Sequence, residues 1–219
     1  MFKGVAFDLD GVITDTAFYH AKAWQVLCQE LGVAWTQVLA EGTKGVSRKD
    51  SLQLILQSGQ LVDQYSAEEK EELLERKNNL YKQLIQDLTP ADILPGISQL
   101  LTDLRAKKYQ IVLASASFNA PFILEKLGLT DFFDGIVDPG SLVQGKPHPD
   151  IYLKAAQMMQ IDPSEMIGIE DAASGVQAIK DAGATVVGVG TAEILHLADI
   201  NVADTSELTL DLLEASHGA

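Results

Sequence analysis

The first residues that can do chemistry are two aspartates near the amino terminus, in the stretch FDLDG at residues 7–11. Asp8 and Asp10 follow the apolar residues of a predicted strand, where more buried residues would be expected. In an extended segment the side chains of residues i and i+2 point the same way, so both carboxylates are predicted to face one site. Such a pair can divide the work of nucleophile and general acid or base. Gly11 lets the backbone turn sharply after them.

Polar side chains also follow three other predicted strands. Ser115 comes at the end of the second strand, Lys146 lies in the loop after the third, and Glu170 and Asp171 end the fourth. Ligands bind at the carboxyl ends of the strands in a parallel sheet, so these side chains are predicted to converge with Asp8 on one edge. Taken singly, each is an ordinary loop residue, but together they indicate a functional site.

The acidic side chains of this site favour a bound metal ion. Several carboxylates at close quarters repel one another unless a hard cation lies among them, and oxygen ligands without paired cysteines or histidines favour Mg²⁺ over zinc. Because Mg²⁺ keeps positions for phosphate oxygens, the predicted substrate carries a phosphoryl group. Lys146 would neutralise that group and Ser115 would donate to its oxygens. Asp8 would attack phosphorus to form an acyl phosphate, with Asp10 as general acid and base.

The strands that must position these residues alternate with helices in the second half of the chain. Apolar segments at 111–114, 135–138, 166–170 and 185–189 alternate with helical patterns of about ten residues, and one more strand and helix are predicted after residue 200. This alternation is typical of parallel βαβ units with helices on both faces. The predicted fold class is therefore α/β, a doubly wound parallel sheet.

The stretch between the first and second strands is predicted to be entirely helical. Apolar residues recur at three- and four-residue intervals from Thr16 to Leu31, and similar patterns cover 47–57 and the residues after Ser66. The segment SAEE at Ser66 has the form of a helix capping box. Cys28 lies in the apolar pattern of the first helix and is predicted to be a buried thiol.

The economical architecture is a core with an inserted helical domain. The first strand, predicted at Val5–Leu9, is separated from the other strands by the helical stretch. We therefore predict a Rossmann-like catalytic core formed by residues 1–15 and 91–219. A helical cap domain, residues 16–90, would be inserted after the first strand.

Composition excludes several classes of partner. The 219 residues include 31 Asp and Glu against 16 Lys and Arg, a formal charge of −15, which repels nucleic acid and anionic membranes. No apolar run approaches the roughly 18 residues that span a bilayer. One cysteine and an amino terminus without a secretory pattern indicate a cytoplasmic protein. The expected partner is a small molecule, and the expected state is a monomer.

Four motifs resemble those of the haloacid dehalogenase superfamily: DLDGVITDT, ASAS, KPHPD and GIEDAASG. The resemblance covers almost the whole chain, including the helical cap after the first motif. It implies Mg²⁺-dependent phosphoryl transfer through an aspartyl phosphate, with Asp8 as nucleophile and Asp10 as general acid and base. It also implies that the ligands of Mg²⁺ are Asp8, the backbone carbonyl of Asp10, Glu170 and Asp171.

A narrower resemblance concerns the substrate. The segments FDLDGVITDTAFYHAKAW, KGVSRKDSL and ASASFNAPFILEKL resemble superfamily members that interconvert β-D-glucose 1-phosphate and β-D-glucose 6-phosphate through β-glucose 1,6-bisphosphate. This sugar bisphosphate must turn end for end, so a second anion site must accept either phosphate. By resemblance that site is Arg48, whose fork suits phosphate, together with Ser117 and Asn119. One departure is Phe118, where the pattern has Lys.

The same resemblance gives roles to further cap residues. The backbone at Gly45 and Val46 would line the sugar. His20 with Lys44 would couple closure of the cap to the placement of Asp10. These roles are implied by the resemblance alone, since a lone histidine or lysine on a helix is usually a surface or packing residue.

Three alternative functions remain open from the residues. A phosphatase of the same fold needs the same four motifs, with water taking the phosphoryl group from Asp8. Arg48 favours the enzyme that interconverts the two glucose phosphates, and Phe118 counts against it. A non-catalytic binding module is disfavoured because every chemical position is filled. A nucleotide-binding dehydrogenase is weaker still, because GVGT at 188–191 lacks the third glycine of the dinucleotide motif.

Overall fold

The computed structural model of the chain describes residues 2–191, 193 and 195–216. The chain divides into two compact units, one formed by Met1–Asp15 with Leu88–Ala219 and the other by Thr16–Asp87. The outermost limits of the predicted core, residue 1 and residues 217–219, lie outside the described part. None of the helices in that part combines the length and the apolar character that a membrane span requires.

Strands and helices follow the order that the sequence patterns predict. The strands are β1 (Gly4–Phe7), β2 (Gln110–Leu113), β3 (Gly135–Ile136), β4 (Met166–Glu170), β5 (Thr185–Val189) and β6 (Ile200–Val202). The α-helices are α1 (Ala17–Glu30), α2 (Gln37–Gly42), α3 (Arg48–Ser58), α4 (Ala67–Leu84), α5 (Ile97–Ala106), α6 (Ala120–Leu127), α7 (Asp150–Met159), α8 (Ala173–Ala182) and α9 (Leu210–Ser216).

The first unit is built on a parallel sheet of the order β3-β2-β1-β4-β5-β6. The amino-terminal strand β1 therefore lies between β2 and β4, although the helical unit separates it from both in sequence. The strand order reverses direction between β1 and β4, which is the point where open α/β sheets bind ligands. The prediction of a doubly wound parallel sheet is confirmed.

Helices α7 and α8 cover one face of this sheet. Ala6 of β1 and Val112 of β2 belong to one buried cluster with Ile151 and Tyr152 of α7 and Ile179 of α8. All of these side chains are almost fully buried. The cluster fixes α7, and therefore Tyr152, against the centre of the sheet.

The opposite face of the central strands is buried as well. Val5, Phe7, Ile111 and Leu113 alternate with the residues of the first face, and each is completely buried. Helix α5 packs against β2. Burial on both faces explains why these strands appear in the sequence as continuous apolar runs rather than as alternating patterns.

Strand β1 ends two residues before the predicted limit of Val5–Leu9. The carbonyl of Leu9 accepts the N–H of Ile13 at 2.9 Å, so the chain enters a tight turn and leaves the sheet. The N–H of Asp8 still donates to the carbonyl of Ile169 at 3.0 Å. The backbone of Asp8 is thereby fixed to β4 just beyond the end of the strand.

The second unit, Thr16–Asp87, contains α1 to α4 and no strand, as predicted. Its own core includes residues from α1, α3 and α4: Trp24, Leu27, Cys28, Leu52, Ile55, Leu56, Leu73 and Leu74. The predicted burial of Cys28 is thus confirmed. Helix α2 is not among the predicted helices, because its six residues include a single buried side chain, Leu39, and show no helical repeat.

The predicted capping box opens helix α4. The N–H of Ser66 donates to Oε2 of Glu69 at 2.7 Å, and the N–H of Glu69 donates to Oγ of Ser66 at 3.2 Å. Each side chain therefore satisfies a backbone donor that the first turn of a helix leaves without an intrahelical partner. The capping box fixes the residue at which α4 begins, and so which of its residues face the core of the helical unit.

Candidate active site

Three carboxylates meet at the carboxyl edge of the sheet. Asp8 follows β1, Glu170 is the last residue of β4 and Asp171 comes next; one oxygen from each lies within 4.8 Å of the others. They meet because β1 and β4 are neighbours in register, with Phe7 opposite Ile169. Asp8 is 3% exposed and Glu170 is fully buried, which sets the group apart from ordinary surface acids. Three hard oxygen donors at this spacing suit a divalent cation such as Mg²⁺.

Lys146 joins two of these carboxylates. Its Nζ donates to Oδ1 of Asp8 at 2.6 Å and to Oε2 of Glu170 at 2.8 Å, and its side chain is completely buried. Burial by itself lowers the pKa of Lys146, but the charges of Asp8 and Glu170 more than offset this and hold the pKa well above its usual value. Lys146 is therefore a protonated cation at the place where the sequence predicts one.

Tyr152 is a site residue that the sequence analysis missed. Its Oη donates to Oε2 of Glu170 at 2.6 Å, and Nζ of Lys146 lies 5.1 Å from the centre of its ring. Burial, followed by the charge of Glu170, raises the pKa of the Tyr152 hydroxyl well above its usual value, so the hydroxyl keeps its proton. The available indication was a tyrosine in the apolar pattern of α7, since a buried hydroxyl needs a partner.

Burial also acts on Glu170 itself. Burial raises the pKa of Glu170 to about 7, the charge of Asp8 adds to the shift, and Lys146 opposes it. The site thus holds a carboxylate that prefers a cation beside it, because a nearby positive charge stabilises its ionised form.

Two glycines allow the backbone to approach the carboxylates closely. Gly11 has a φ of +85°, and a Cβ atom there would lie 2.2 Å from Oδ2 of Asp171. Gly175, in α8, is equally constrained, because its Cβ would lie 2.1 Å from Oε2 of Glu170. Any other residue at either position would displace a carboxylate. The sequence predicts a sharp turn at Gly11, and the close approach of Asp171 is a second reason for a glycine at this position.

The loop after β2 carries Ser115, Ser117 and Asn119, all of them buried. The N–H of Ala114 donates to the carbonyl of Phe7 at 2.7 Å, which fixes the loop beside Asp8 of the neighbouring strand. Oγ of Ser115 accepts the N–H of Ser117 at 3.1 Å, and Oγ of Ser117 accepts the N–H of Asn119 at 3.3 Å. Each hydroxyl keeps its own proton for donation to an anion.

Asp10 occupies a different position from Asp8. It is half-buried and forms an isolated bridge with Thr14 inside the turn after β1. Its carboxylate is not one of the three that approach within 4.8 Å of one another in the described part of the chain. By resemblance, the ligand that Asp10 would offer to the metal is its backbone carbonyl rather than its carboxylate.

In the helical unit His20 contacts Lys77, a residue that the sequence analysis did not single out. Nζ of Lys77 lies 2.6 Å from Nδ1 of His20, whose ring stacks on Tyr81 at 3.8 Å between centres. Burial, then the charges of Lys77 and Arg48, hold the pKa of His20 well below its usual value, so the ring is neutral.

Lys77 could have been noticed from its position. It lies on the apolar face of α4, between Leu73 and Tyr81, and is 2% exposed, with Nζ 4.6 Å from the ring centre of Trp24. A lysine is rarely buried without a specific partner. Lys44, the partner predicted for His20, forms an ion pair with Glu41 at 3.4 Å.

The other predicted cap residues lie at the start of α3. Arg48 is the first residue of this helix and half-buried, and burial lowers its pKa, opposed by Glu71. A cation at the positive end of a helix gains no stabilisation from the helix dipole, so the dipole does not explain an arginine at this position. Gly45 has a φ of +66°, a conformation that suits glycine, and Val46 beside it is half-buried.

Comparisons with known proteins agree on one family. A β-phosphoglucomutase of Bacillus subtilis (strain 168) is 48% identical over 211 residues, which cover 96% of this chain and 93% of that protein. The crystal structure of β-phosphoglucomutase from Clostridium difficile matches with a TM-score of 0.97 and 43% identity, covering 99% of this chain and 97% of that one. A phosphorylated carbohydrates phosphatase of Thermotoga maritima is 28% identical over 83% of this chain and 82% of that protein.

The family model for haloacid dehalogenase-like hydrolases matches residues 2–183. This match includes the helical unit and every residue of the acidic cluster. The chain therefore belongs to the haloacid dehalogenase-like hydrolase family.

Proposed function

We propose that the protein is a β-phosphoglucomutase, which interconverts β-D-glucose 1-phosphate and β-D-glucose 6-phosphate through β-glucose 1,6-bisphosphate. The observation that carries this proposal is the 48% identity to the Bacillus subtilis β-phosphoglucomutase over 96% of the chain. The alignment covers 96% of the chain, so it includes the helical unit as well as the core. The buried site formed by Asp8, Lys146 and Glu170 supplies the chemistry that such an enzyme needs.

In this proposal Asp8 is the nucleophile. One of its oxygens attacks the phosphorus of the sugar bisphosphate, an O–P bond forms, and the ester bond to the sugar oxygen breaks. Asp10 gives its proton to that leaving oxygen. β-D-Glucose 6-phosphate leaves, and the 6-hydroxyl of an incoming β-D-glucose 1-phosphate gives its proton to Asp10 and attacks the phosphorus of the aspartyl phosphate. The products are the free Asp8 carboxylate and a new phosphate ester. The bisphosphate that this step re-forms turns end for end before the next transfer.

We propose Mg²⁺ as the cofactor of this reaction. The oxygens of Asp8, Glu170 and Asp171 would hold it together with the carbonyl of Asp10, and the hard donors within 4.8 Å fit such an ion. When bound, Mg²⁺ neutralises charge on the phosphoryl oxygens. Three carboxylates and one lysine meet at the site, so a divalent cation would also offset their excess negative charge.

Lys146 and Ser115 would hold the phosphoryl group during transfer. Lys146 is already fixed beside the nucleophile, 2.6 Å from Oδ1 of Asp8, and is protonated. Ser115 is buried in the loop after the neighbouring strand β2, where its hydroxyl would donate to the phosphoryl group. Donors that are fixed before the reaction stabilise the charge that develops on the phosphoryl oxygens without further reorganisation.

The phosphate that is not transferred needs a site of its own. We propose that Arg48 of the helical unit, which acts as the cap, binds it with Ser117 and Asn119 of the core. Gly45 and Val46 would contact the sugar through their backbone. His20, with Lys44 and Lys77, would couple closure of this cap to the proton transfer.

The experiment that tests the function uses enzyme, Mg²⁺, β-glucose 1-phosphate and a trace of β-glucose 1,6-bisphosphate. Glucose 6-phosphate and inorganic phosphate are measured in the same reaction. The mutase produces glucose 6-phosphate much faster than free phosphate. Free phosphate as the sole product would overturn the proposal.

A sugar-phosphate phosphatase is the second candidate. The Thermotoga maritima relative, a phosphorylated carbohydrates phosphatase, is 28% identical over 83% of this chain, well below the mutase match. Phe118, exposed beside Ser117, replaces a cation that the mutase pattern carries there. The product assay separates the two candidates. A monomeric state and a cytoplasmic location stay predictions.

A further inference from the structure

Two donors converge on one oxygen of Glu170. Oε2 of Glu170 accepts Nζ of Lys146 at 2.8 Å and Oη of Tyr152 at 2.6 Å. All three side chains are buried, so water does not compete for these bonds. Oε1, the other oxygen, accepts only a long bond of 3.4 Å from the N–H of Ala172 among the hydrogen bonds between described residues. The carboxylate therefore has one firmly held oxygen and one weakly held oxygen.

We propose that Tyr152 is a positioning residue that orients Glu170 for binding of Mg²⁺. The inference rests on the proposed function in one respect, that Glu170 is a ligand of the metal. By holding Oε2, Tyr152 would fix the rotamer of Glu170 and leave Oε1, which accepts only the long bond from Ala172 among the described residues, as the oxygen for the metal. Outer-shell hydrogen bonds of this kind orient metal ligands in many proteins.

Lys146 is not sufficient for this task. Its ammonium is shared between Glu170 and Asp8, and it is a compact charge whose three donors rotate, so it does not by itself prescribe one orientation of the Glu170 carboxylate. Tyr152 has a rigid ring and a single donor. Its ring is fixed in the buried cluster that joins α7 and α8 to the sheet. The hydroxyl therefore has one position, and it directs one oxygen of Glu170.

Packing alone does not explain the hydroxyl of Tyr152. A phenylalanine would fill almost the same volume in the buried cluster, and an apolar ring would avoid the cost of burying a polar group. The hydroxyl is compatible with this environment because it is bonded to Glu170. Gly175 completes the arrangement, since a side chain there would occupy the space of Glu170 Oε2.

The test is the affinity for Mg²⁺ of the Tyr152→Phe variant, measured by titration calorimetry in the absence of sugar. We expect the Kd for Mg²⁺ to rise about 10–100-fold, the usual effect of removing an outer-shell partner. The matched control is Tyr109→Phe. It also removes a tyrosine–glutamate hydrogen bond, to Glu214 at 3.1 Å, but on the exposed surface of the same unit. Its Kd for Mg²⁺ should equal that of the wild type.

A second measurement separates positioning from general stability. If Tyr152 acts through Glu170, adding Tyr152→Phe to Glu170→Gln should not weaken Mg²⁺ binding further. The rise in unfolding temperature that Mg²⁺ produces should shrink in the single variant Tyr152→Phe. A lower unfolding temperature in EDTA with a Kd for Mg²⁺ within about twofold of wild type would make Tyr152 a packing residue and overturn the inference.

The outcomes also distinguish this inference from the proposed function. If the wild type does not bind Mg²⁺, both the metal site and the role of Tyr152 are overturned. If Tyr152→Phe weakens Mg²⁺ binding but the wild type releases only free phosphate from sugar phosphates, the inference is supported and the mutase proposal fails.

Discussion

Replacing Lys146 by methionine should destabilise the folded protein, because Lys146 is the cation that pairs with two buried carboxylates of the site. The change removes a fully buried ammonium that contacts Asp8 at 2.6 Å and Glu170 at 2.8 Å. Methionine has a similar length, so the cavity is filled and the loss is mainly electrostatic. Two buried carboxylates are then left facing each other without their cation.

The size of the effect follows from the two distances. At an effective dielectric constant of about 20, each contact contributes about 6 kcal/mol of attraction, much of which is cancelled by the cost of burying the charges. Removing one partner of a buried ion pair costs about 3–5 kcal/mol in measured cases. We therefore expect the free energy of unfolding of Lys146→Met in EDTA to fall by about 3–5 kcal/mol at neutral pH.

The loss should also depend on pH. Lys146 lowers the pKa of Glu170, so its removal raises that pKa further above the already elevated value of about 7. An acid with a higher pKa in the folded state holds its proton more tightly there, so stability is greatest below the unfolded-state pKa and falls as pH rises through the folded-state pKa. The stability of the variant should therefore fall more steeply than that of the wild type between about pH 5 and about pH 8.

Urea unfolding followed by circular dichroism measures both effects. The matched control is Lys3→Met, because Lys3 contacts Glu165 at the same distance of 2.6 Å but is exposed. Water hydrates both partners of that pair, so its loss should have a much smaller effect. Equal losses in the two variants, or a loss in Lys146→Met that does not change with pH, would refute the electrostatic reasoning.

Two further substitutions test the binding sites. Arg48→Ala should raise the KM for β-glucose 1-phosphate or divert flux to free phosphate. The control is Lys49→Ala, which removes an exposed ion pair at the next position and should change neither. Identical kinetics in both variants would place the distal phosphate elsewhere. Gly11→Ala should weaken Mg²⁺ binding in calorimetry, because its Cβ meets Asp171 at 2.2 Å. Gly32→Ala has a similar backbone strain, with a φ of +69° but nothing within 4 Å, and should keep its Mg²⁺ affinity. Equal affinities would mean that the carboxylate adjusts freely.

The fold could be predicted because its patterns are local. The strands at 166–170 and 185–189 have the predicted limits, since each is a short apolar run bounded by turn residues. The end of β1 could not be predicted in the same way. It depends on the Leu9 carbonyl, which accepts the N–H of Ile13 within the turn, and no side-chain pattern reports this bond.

The site was predictable only where its residues come from strand ends. The carboxyl ends of parallel strands lie at one edge of a sheet, so the sequence predicts that Asp8 and Glu170 lie in one site, although it does not give the distance between their carboxylates. Tyr152 and Lys77 were missed because their partners, Glu170 and His20, are 18 and 57 residues away in the chain. Which face of a helix meets which side chain is decided by packing, and the helical repeat alone does not contain that information.

The most direct test of the account is to identify the residue that carries the phosphoryl group. The enzyme is incubated with Mg²⁺ and β-glucose 1,6-bisphosphate, and the acyl phosphate is reduced with tritiated borohydride, which releases the phosphate and converts the aspartate to labelled homoserine, before peptide mapping by mass spectrometry. We predict reduction at Asp8 alone, and none in Asp8→Asn, which should also lose turnover. A label on any other residue, or an Asp8→Asn variant within about tenfold of wild-type activity, would contradict the central role of Asp8.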